Sequence, residues 1–426
     1  MESAQYTARG YDCLFITHPL SFGIFMVRYS LDEEFRFGHH TFAKGEVPGE
    51  AELIAAEKAI PVLDPKPEEF SEVAVRLRDA GVRNILLIHG TFAGGDITGL
   101  VRELKRFSPV RATRVHQLSK AWFDEMVGDV GNYTDRLATR LNTWLNVPGQ
   151  GGSDSNNIKV DRFGWSGENH HIGRIDGAVA LLRKISEIQL DGRLLVLAHS
   201  HGGNLLAMLS QILGSTEHVR ESFFRATRLH YHSPFRSKVD LQDWTAAREI
   251  LLDSGRNGCE IDIATFGTPL RYRWNREVVP RLLHFVQHRS TDDQDPQKAV
   301  LPRSIRDLLT AAAGDYVQHL GIAGTDFIPS LFAWRDVVVE RRLRLLFEST
   351  ARRRDLVHKI RQGRRVSCDG KTLLVDYAPT PDREHQKLFG HGVYTSPVWL
   401  AFHLQEICRH FYEPARKENA EPDSDH

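Results

Sequence analysis

The strongest constraint on this chain is the alternation of unbroken apolar runs of strand length with stretches of helical periodicity. "NILLIHG" (84–90), "NIKVDRFGWSG" (157–167), "RLLVLAHS" (193–200), "EIDIATFGTPL" (260–270) and "TLLVDYA" (372–378) are the strand-like runs. A run with little polar alternation has no face for water, which is the pattern of a parallel strand covered on both sides. Between these runs apolar residues recur at helical spacing. Ile97, Leu100, Val101, Leu104 and Phe107 follow a capping Asp96, and Ile172, Ile175, Val179, Leu182 and Ile185 follow His171. "NLLAMLSQIL" follows the third run, and Leu400, Leu404, Ile407 and Phe411 line one side of a last helix. This order predicts an α/β fold, a mostly parallel sheet with helices on both faces. The alternation lapses from about residue 270 to 365, which reads as a helical insertion before the last strand. A single domain over 1–412 and a disordered tail over 413–426 complete the expected organisation, with loops at "PGQGGSDSNN" (148–157) and "RSTDDQDPQK" (289–298).

The totals narrow the function. The 426 residues are 41% hydrophobic and 26% charged, a globular composition with ample core material. Lys+Arg and Asp+Glu both number 55, so no net field draws the chain to nucleic acid, and no nucleic-acid partner is expected. Cys13, Cys259, Cys368 and Cys408 form no CxxC pair, which argues against a disulfide scaffold or a cysteine-ligated zinc. "MESAQYTARGYDC" has no basic segment followed by an apolar one, and "CLFITHPLSFGIFMV" is interrupted by His18 and Pro19 and too short to span a bilayer. The expectation is a cytoplasmic protein whose contact with membranes is peripheral at most.

Chemistry concentrates at "LLVLAHSHGGNLLAM" (194–208), where Ser200 stands between a strand end and a helix start. A sharp strand–serine–helix turn exposes the hydroxyl above the sheet edge and aims the next backbone N–H, that of His201, at the same point. Such a turn needs small residues two before and two after the serine, here Ala198 and Gly202, and Gly203 allows the outgoing helix to pack closely. In "LLIHGTFAGGD", the flexible residues after His89-Gly90 suit a loop whose N–H at Thr91 or Phe92 joins that of His201 as an oxyanion hole. His391, in the Gly-flanked loop "FGHGVYT" after the last strand, is placed to act as the base. The acid should fall between nucleophile and histidine: Asp326 in "GIAGTDFIP" is preferred, with Asp292, Asp293, Asp315 and Asp376 as rivals.

These residues resemble the α/β-hydrolase superfamily over about 84–268 and 372–412. "HG" after the "NILLI" strand and "HSHGGN" at the elbow carry the likeness. "WSGEN" and "GHGVYT" resemble a group of bacterial lipase-like hydrolases. The usual elbow has glycine where this chain has Ala198. The resemblance implies the α/β-hydrolase fold and hydrolysis of a carboxylic ester through an acyl-enzyme on Ser200, with no cofactor and no metal. Thioesterase, amidase or acyltransferase activity on the same fold is the first alternative, and a catalytically silent binding protein the second. Ser166 is a rival nucleophile, but Glu168 occupies the place where a tight elbow needs glycine. Trp165, Ser166 and Asn169 read as pocket or loop-bracing residues, with Trp165 and Phe327 the candidate substrate contacts. His199/His201, His39-His40 and His170-His171 lack convincing metal-ligand spacing. "DFIPSLFAW" (326–334) reads as packing or as an acyl-pocket lid, and the nine Arg and one Lys of 341–365 as a solvated face or a site for an anionic head group. The expected substrate is a small-molecule or lipid ester.

Overall fold

The computed structural model describes residues 8–18, 21–31, 37–38, 49–91, 128–147, 157–187, 192–232, 241–253, 260–289, 295–298, 300–322, 334–347 and 364–413, with short pieces of 108–125. The first two strands, β1 (Ala8–His18) and β2 (Ser21–Leu31), pair antiparallel as a hairpin. Seven more form one sheet: β3 (Glu50–Ile54), β4 (Val82–Ile88), β5 (Lys159–Phe163), β6 (Arg193–His199), β7 (Ile261–Phe266), β8 (Leu282–Gln287) and β9 (Lys371–Val375). Their order is β3-β9-β8-β7-β6-β4-β5, and every pairing is parallel. The α-helices described, in chain order, are α1 (Ser71–Asp79), α2 (Asp135–Leu145), α3 (His171–Glu187), α4 (His201–Gly214) and α5 (Glu217–Tyr231). α6 (Gln242–Asp253), α7 (Ile305–Leu309), α8 (Tyr316–Ile322), α9 (Trp334–Phe347) and α10 (Leu400–Phe411) follow.

Burial explains the unbroken strands. In β4, Leu86 and Ile88 enter a core shared with α3, α4, α5, α6 and α9, while Ile85 and Leu87 enter another shared with α1, α2 and α10. β6 divides in the same way, Leu194, Val196 and Ala198 against Leu195 and Leu197. Successive side chains of a strand point to opposite faces, so a sheet covered on both faces needs apolar residues at every position. Each such Leu or Ile, fully buried, stabilises the fold by ~1.5–3 kcal/mol before chain entropy is counted.

One expectation is corrected. β8 lies inside the stretch that reads as a helical insertion, so the helical segment begins after Gln287 rather than near 270. β8 carries His284 and Gln287, which break its apolar run in sequence and are buried in the sheet with polar partners. Several expectations lie outside the described residues: Phe92, the helix after Asp96, Asp292, Asp293, Asp326, Phe327, most of the first loop and half of the second, and the tail from 414. Among the described residues no helix is long and apolar enough to cross a membrane.

α9, within the helical segment, is tied to the rest by polar contacts that include Glu340 and Asp336. Glu340 accepts the backbone N–H of His171 (3.2 Å) and of Ile172 (2.9 Å), so a carboxylate closes the electropositive start of α3. Beneath it, His230 Nδ1 lies 2.7 Å from Asp336 and Nε2 3.2 Å from Asp176, which also accepts the Trp244 indole N–H at 2.7 Å. Burial lowers the proton affinity of His230, but the two aspartates outweigh it and the net shift is upward. A raised histidine contributes stability that is fully present below its unfolded value, about 6.5, and is lost as pH rises through the folded value. As pH rises above about 6.5 the melting temperature should therefore fall more steeply in the wild type than in His230→Gln. Parallel melting curves for the two proteins would show that His230 contributes no such linkage.

Candidate active site

The strand order reverses between β4 and β6. From β4 the chain moves out to β5, then returns through α3 to β6 on the other side of β4. At such a switch point the loops diverge and leave a crevice at the carboxyl ends of the strands. His89, Gly90 and Thr91 follow β4 there, and Ser200 follows β6.

Ser200 has φ 53° and ψ −130°, a backbone conformation that side chains other than glycine's rarely adopt and that costs of order 1–3 kcal/mol. Three bonds hold it: its N–H donates to Phe266 O (2.8 Å), and its own carbonyl accepts Thr268 Oγ1 (2.8 Å) and the Gly203 N–H (3.0 Å). A Cβ on Gly202 would stand 2.7 Å from His89 O, so the small residue expected two places after Ser200 is required by the β4 loop. His201 is the first residue of α4, where backbone N–H groups have no partner within the helix. Among the described residues Ser200 Oγ makes no hydrogen bond, and it lies 3.3 Å from where a Cβ on Gly90 would be.

The β4 loop is fixed from below. The Trp165 backbone N–H donates to His89 Nε2 (3.2 Å), so the imidazole proton is on Nδ1, which donates to Gly90 O (2.8 Å). The Trp165 indole donates to His89 O at 2.9 Å, and the two rings stack at 5.8 Å. Trp165, a sequence candidate for substrate contact, is buried in the core and braces this loop. Thr91 is half-buried, its Oγ1 covered and without a hydrogen bond among the described residues. Ser166 sits in the same turn, accepting the Glu168 N–H at 3.4 Å, and Asn169 accepts from Arg174 at 3.2 Å.

His391 is buried after a strained approach in which Leu388, Phe389 and Gly390 all have positive φ. Its Nδ1 lies 2.7 Å from Asp315 Oδ2. A proton on Nδ1 leaves the lone pair on Nε2, and Nε2 is buried with no hydrogen bond among the described residues. The preferred Asp326 lies outside the described residues, and the carboxylate bonded to His391 is thus Asp315, one of the rivals the sequence offered. β8 explains why. The chain doubles back at Gly314 (φ 101°), Asp315 N–H donates to Gln287 O (3.3 Å), and the acid is delivered to the end of β8. Asp315 Oδ1 accepts the Gln318 N–H at 2.8 Å. Asp376, another rival, lies 3.7 Å from Arg289 in an ion pair.

Gly267 shows how closely these groups pack. It has φ 58°, follows the Phe266 that accepts the Ser200 N–H, and a Cβ on it would meet Tyr394, Asp315 Oδ2 (2.8 Å) and His391 Cε1 (3.0 Å). His199, next to Ser200, donates from Nε2 to His391 O (3.1 Å) with ring centroids 4.5 Å apart. Burial, reinforced by His391, holds His199 well below the ordinary histidine range, so it stays neutral beside the catalytic candidate. His201 turns elsewhere, accepting from Asn204 at 3.0 Å. Among the described residues no group of three His, Cys, Asp or Glu side chains is placed to hold a metal ion.

Sequence reasoning did not single out Tyr394, Gln318 or Arg365. Arg365 belongs to the arginine-rich run but is buried, donating to Gln287 O (3.3 Å), Ala313 O (3.0 Å) and His288 Nδ1 (2.8 Å) beside the Asp315 turn. Comparison of the chain with protein-family models, curated proteins and solved structures found no match.

Proposed function

We propose that the chain is a serine hydrolase of the α/β-hydrolase fold that cleaves a carboxylic ester through an acyl-enzyme on Ser200. The observation that carries this reading is a strained Ser200 turn and a buried His391, its ring 4.5 Å from that of His199 next to Ser200, with Nδ1 held by Asp315 and Nε2 without a hydrogen bond among the described residues. His391 Nε2 takes the Ser200 proton as Oγ attacks the ester carbonyl. Backbone N–H groups at Thr91 and His201 receive the developing oxyanion. His391 then protonates the leaving alcohol, and water repeats the cycle on the acyl-enzyme. Asp315 keeps the His391 proton on Nδ1 and stabilises the imidazolium. Labelling with a fluorophosphonate probe, followed by peptide mapping, tests the reading: label on Ser200 is expected, and a folded protein that takes none is not a serine hydrolase.

The leaving side of the ester is not set by these groups, and a thioester or amide would use the same ones. The acyl side has a support. Leu388 and Phe389, just before His391, are exposed, as are Ile305, Leu309 and Leu320 on the two short helices packed against residues 384–390. Large exposed apolar residues gathered beside a catalytic histidine suit an apolar acyl chain. Across p-nitrophenyl esters kcat/KM should rise with chain length, by up to about fourfold per methylene until the surface is filled. A strict preference for acetate or propionate esters would remove the acyl-chain assignment and leave the serine chemistry intact.

A further inference from the structure

Tyr394, three residues after His391, is buried, and its hydroxyl is held at both ends. The Gln287 N–H donates to Tyr394 Oη at 2.7 Å, and Oη–H donates to Asp315 Oδ2 at 2.9 Å. That oxygen is the one that bonds His391 Nδ1. Burial, with Asp315 adding to it, pushes the phenol well above its ordinary range, so it is always a donor here. Gly267 leaves the space that the Tyr394 ring fills against His391 and Asp315. We infer that Tyr394 is a fourth member of the proposed catalytic unit, a positioning residue whose hydroxyl shares Asp315 Oδ2 with His391 and thereby limits how much carboxylate charge the imidazole feels. The inference rests on the serine hydrolase reading for its catalytic consequence, and on geometry alone for the coupling between Tyr394 and His391.

The physical argument is competition for one acceptor. Two donors on Oδ2 divide its charge. With the phenol gone, the charge is directed to His391 Nδ1, the imidazolium is favoured, and deprotonation of Nε2 requires a higher pH. Other groups also act on this pair and stay in place. Arg365 and His319 face Asp315, with Tyr377 behind Tyr394, and neutral His199 lies against the His391 ring.

The test compares wild type, Tyr394→Phe, Asp315→Asn and the double variant, together with 3-fluorotyrosine placed at 394, which keeps both bonds and is a stronger donor. In Tyr394→Phe the acid limb of the fluorophosphonate labelling rate should move up by on the order of half a pH unit, and in the fluorotyrosine protein it should move down. The low-field Nδ1–H proton resonance of His391 should shift downfield in Tyr394→Phe, a readout that needs no substrate. The double variant should be no slower than Asp315→Asn alone, because the route from Tyr394 runs through that carboxylate. Tyr394→Phe leaves the Gln287 N–H without a partner, so a lower melting temperature is compatible with both roles. An unmoved acid limb and resonance in both 394 proteins, or independent losses in the double variant, would overturn the inference. Absence of labelling in the folded wild type would overturn the hydrolase reading instead, with the His391 resonance still reporting on Tyr394.

Discussion

Ser200→Ala should lose ester hydrolysis by on the order of 10^5- to 10^6-fold in kcat and should take no fluorophosphonate, because the group removed is the one that forms the acyl bond. The fold should be unaffected. Oγ makes no hydrogen bond among the described residues, and the bonds that hold the turn use the backbone of residue 200, which alanine keeps. Alanine also keeps the strain at φ 53°. Glycine would not, so Ser200→Gly should be equally inactive yet more stable, by up to ~1–3 kcal/mol. Inactivity with a gain in stability is the mark of a conformation retained for chemistry at a cost to the fold. Circular dichroism, thermal melting and an ester assay on the three proteins decide the matter. Substantial turnover in folded Ser200→Ala would reject Ser200 as nucleophile and direct attention to Ser166.

The legible parts of this fold are those whose physics is local. β4, β6 and β7 are covered on both faces, and that shows as unbroken apolar sequence. The turn at Ser200 was visible because a strand must change to a helix in one residue, which demands small neighbours on either side. β8 was legible only as a conditional strand in "LLHFVQH", because His284 and Gln287 are polar in sequence but satisfied in place, by Thr265 and Asp369 O and by His385 O. β3 was hidden because it is a five-residue edge strand with exposed Glu50 and Leu53. α5 and α6 were not anticipated, although α5 carries a buried Phe223, Phe224, Thr227 and His230 stripe at helical spacing. For the acid no local signal exists. Asp315 is 76 residues from His391, and what brings them together is the return of the chain at Gly314 to the end of β8. Tyr394 was quoted within "GHGVYT", but a tyrosine three places after a loop histidine carries no signature until the carboxylate it touches is known.

Asp315→Asn should lower kcat by on the order of 10^3- to 10^4-fold with little change in KM. The side chain is nearly isosteric, so the loss is electrical and tautomeric. The carboxylate accepts from His391 Nδ1, Tyr394 Oη and the Gln318 N–H, and it is buried. An amide can accept at only one end. If its oxygen meets the Gln318 N–H, its NH2 faces His391 and Tyr394, the imidazole proton is driven to Nε2, and no lone pair remains to take the Ser200 proton. If the amide turns over, the Gln318 N–H loses its acceptor and the imidazolium has no opposing charge. Either orientation leaves the nucleophile in place but unactivated, so fluorophosphonate should still reach Ser200, though far more slowly than in the wild type. Asp326→Asn and Asp376→Asn are the controls. Asp376 is engaged by Arg289, and its loss should cost turnover less than about tenfold. A kcat loss of the size expected at Asp315 appearing at Asp326 instead, with Asp315→Asn folded and active, would make Asp326 the acid and would mean that the bond between His391 and Asp315 serves the loop rather than the reaction.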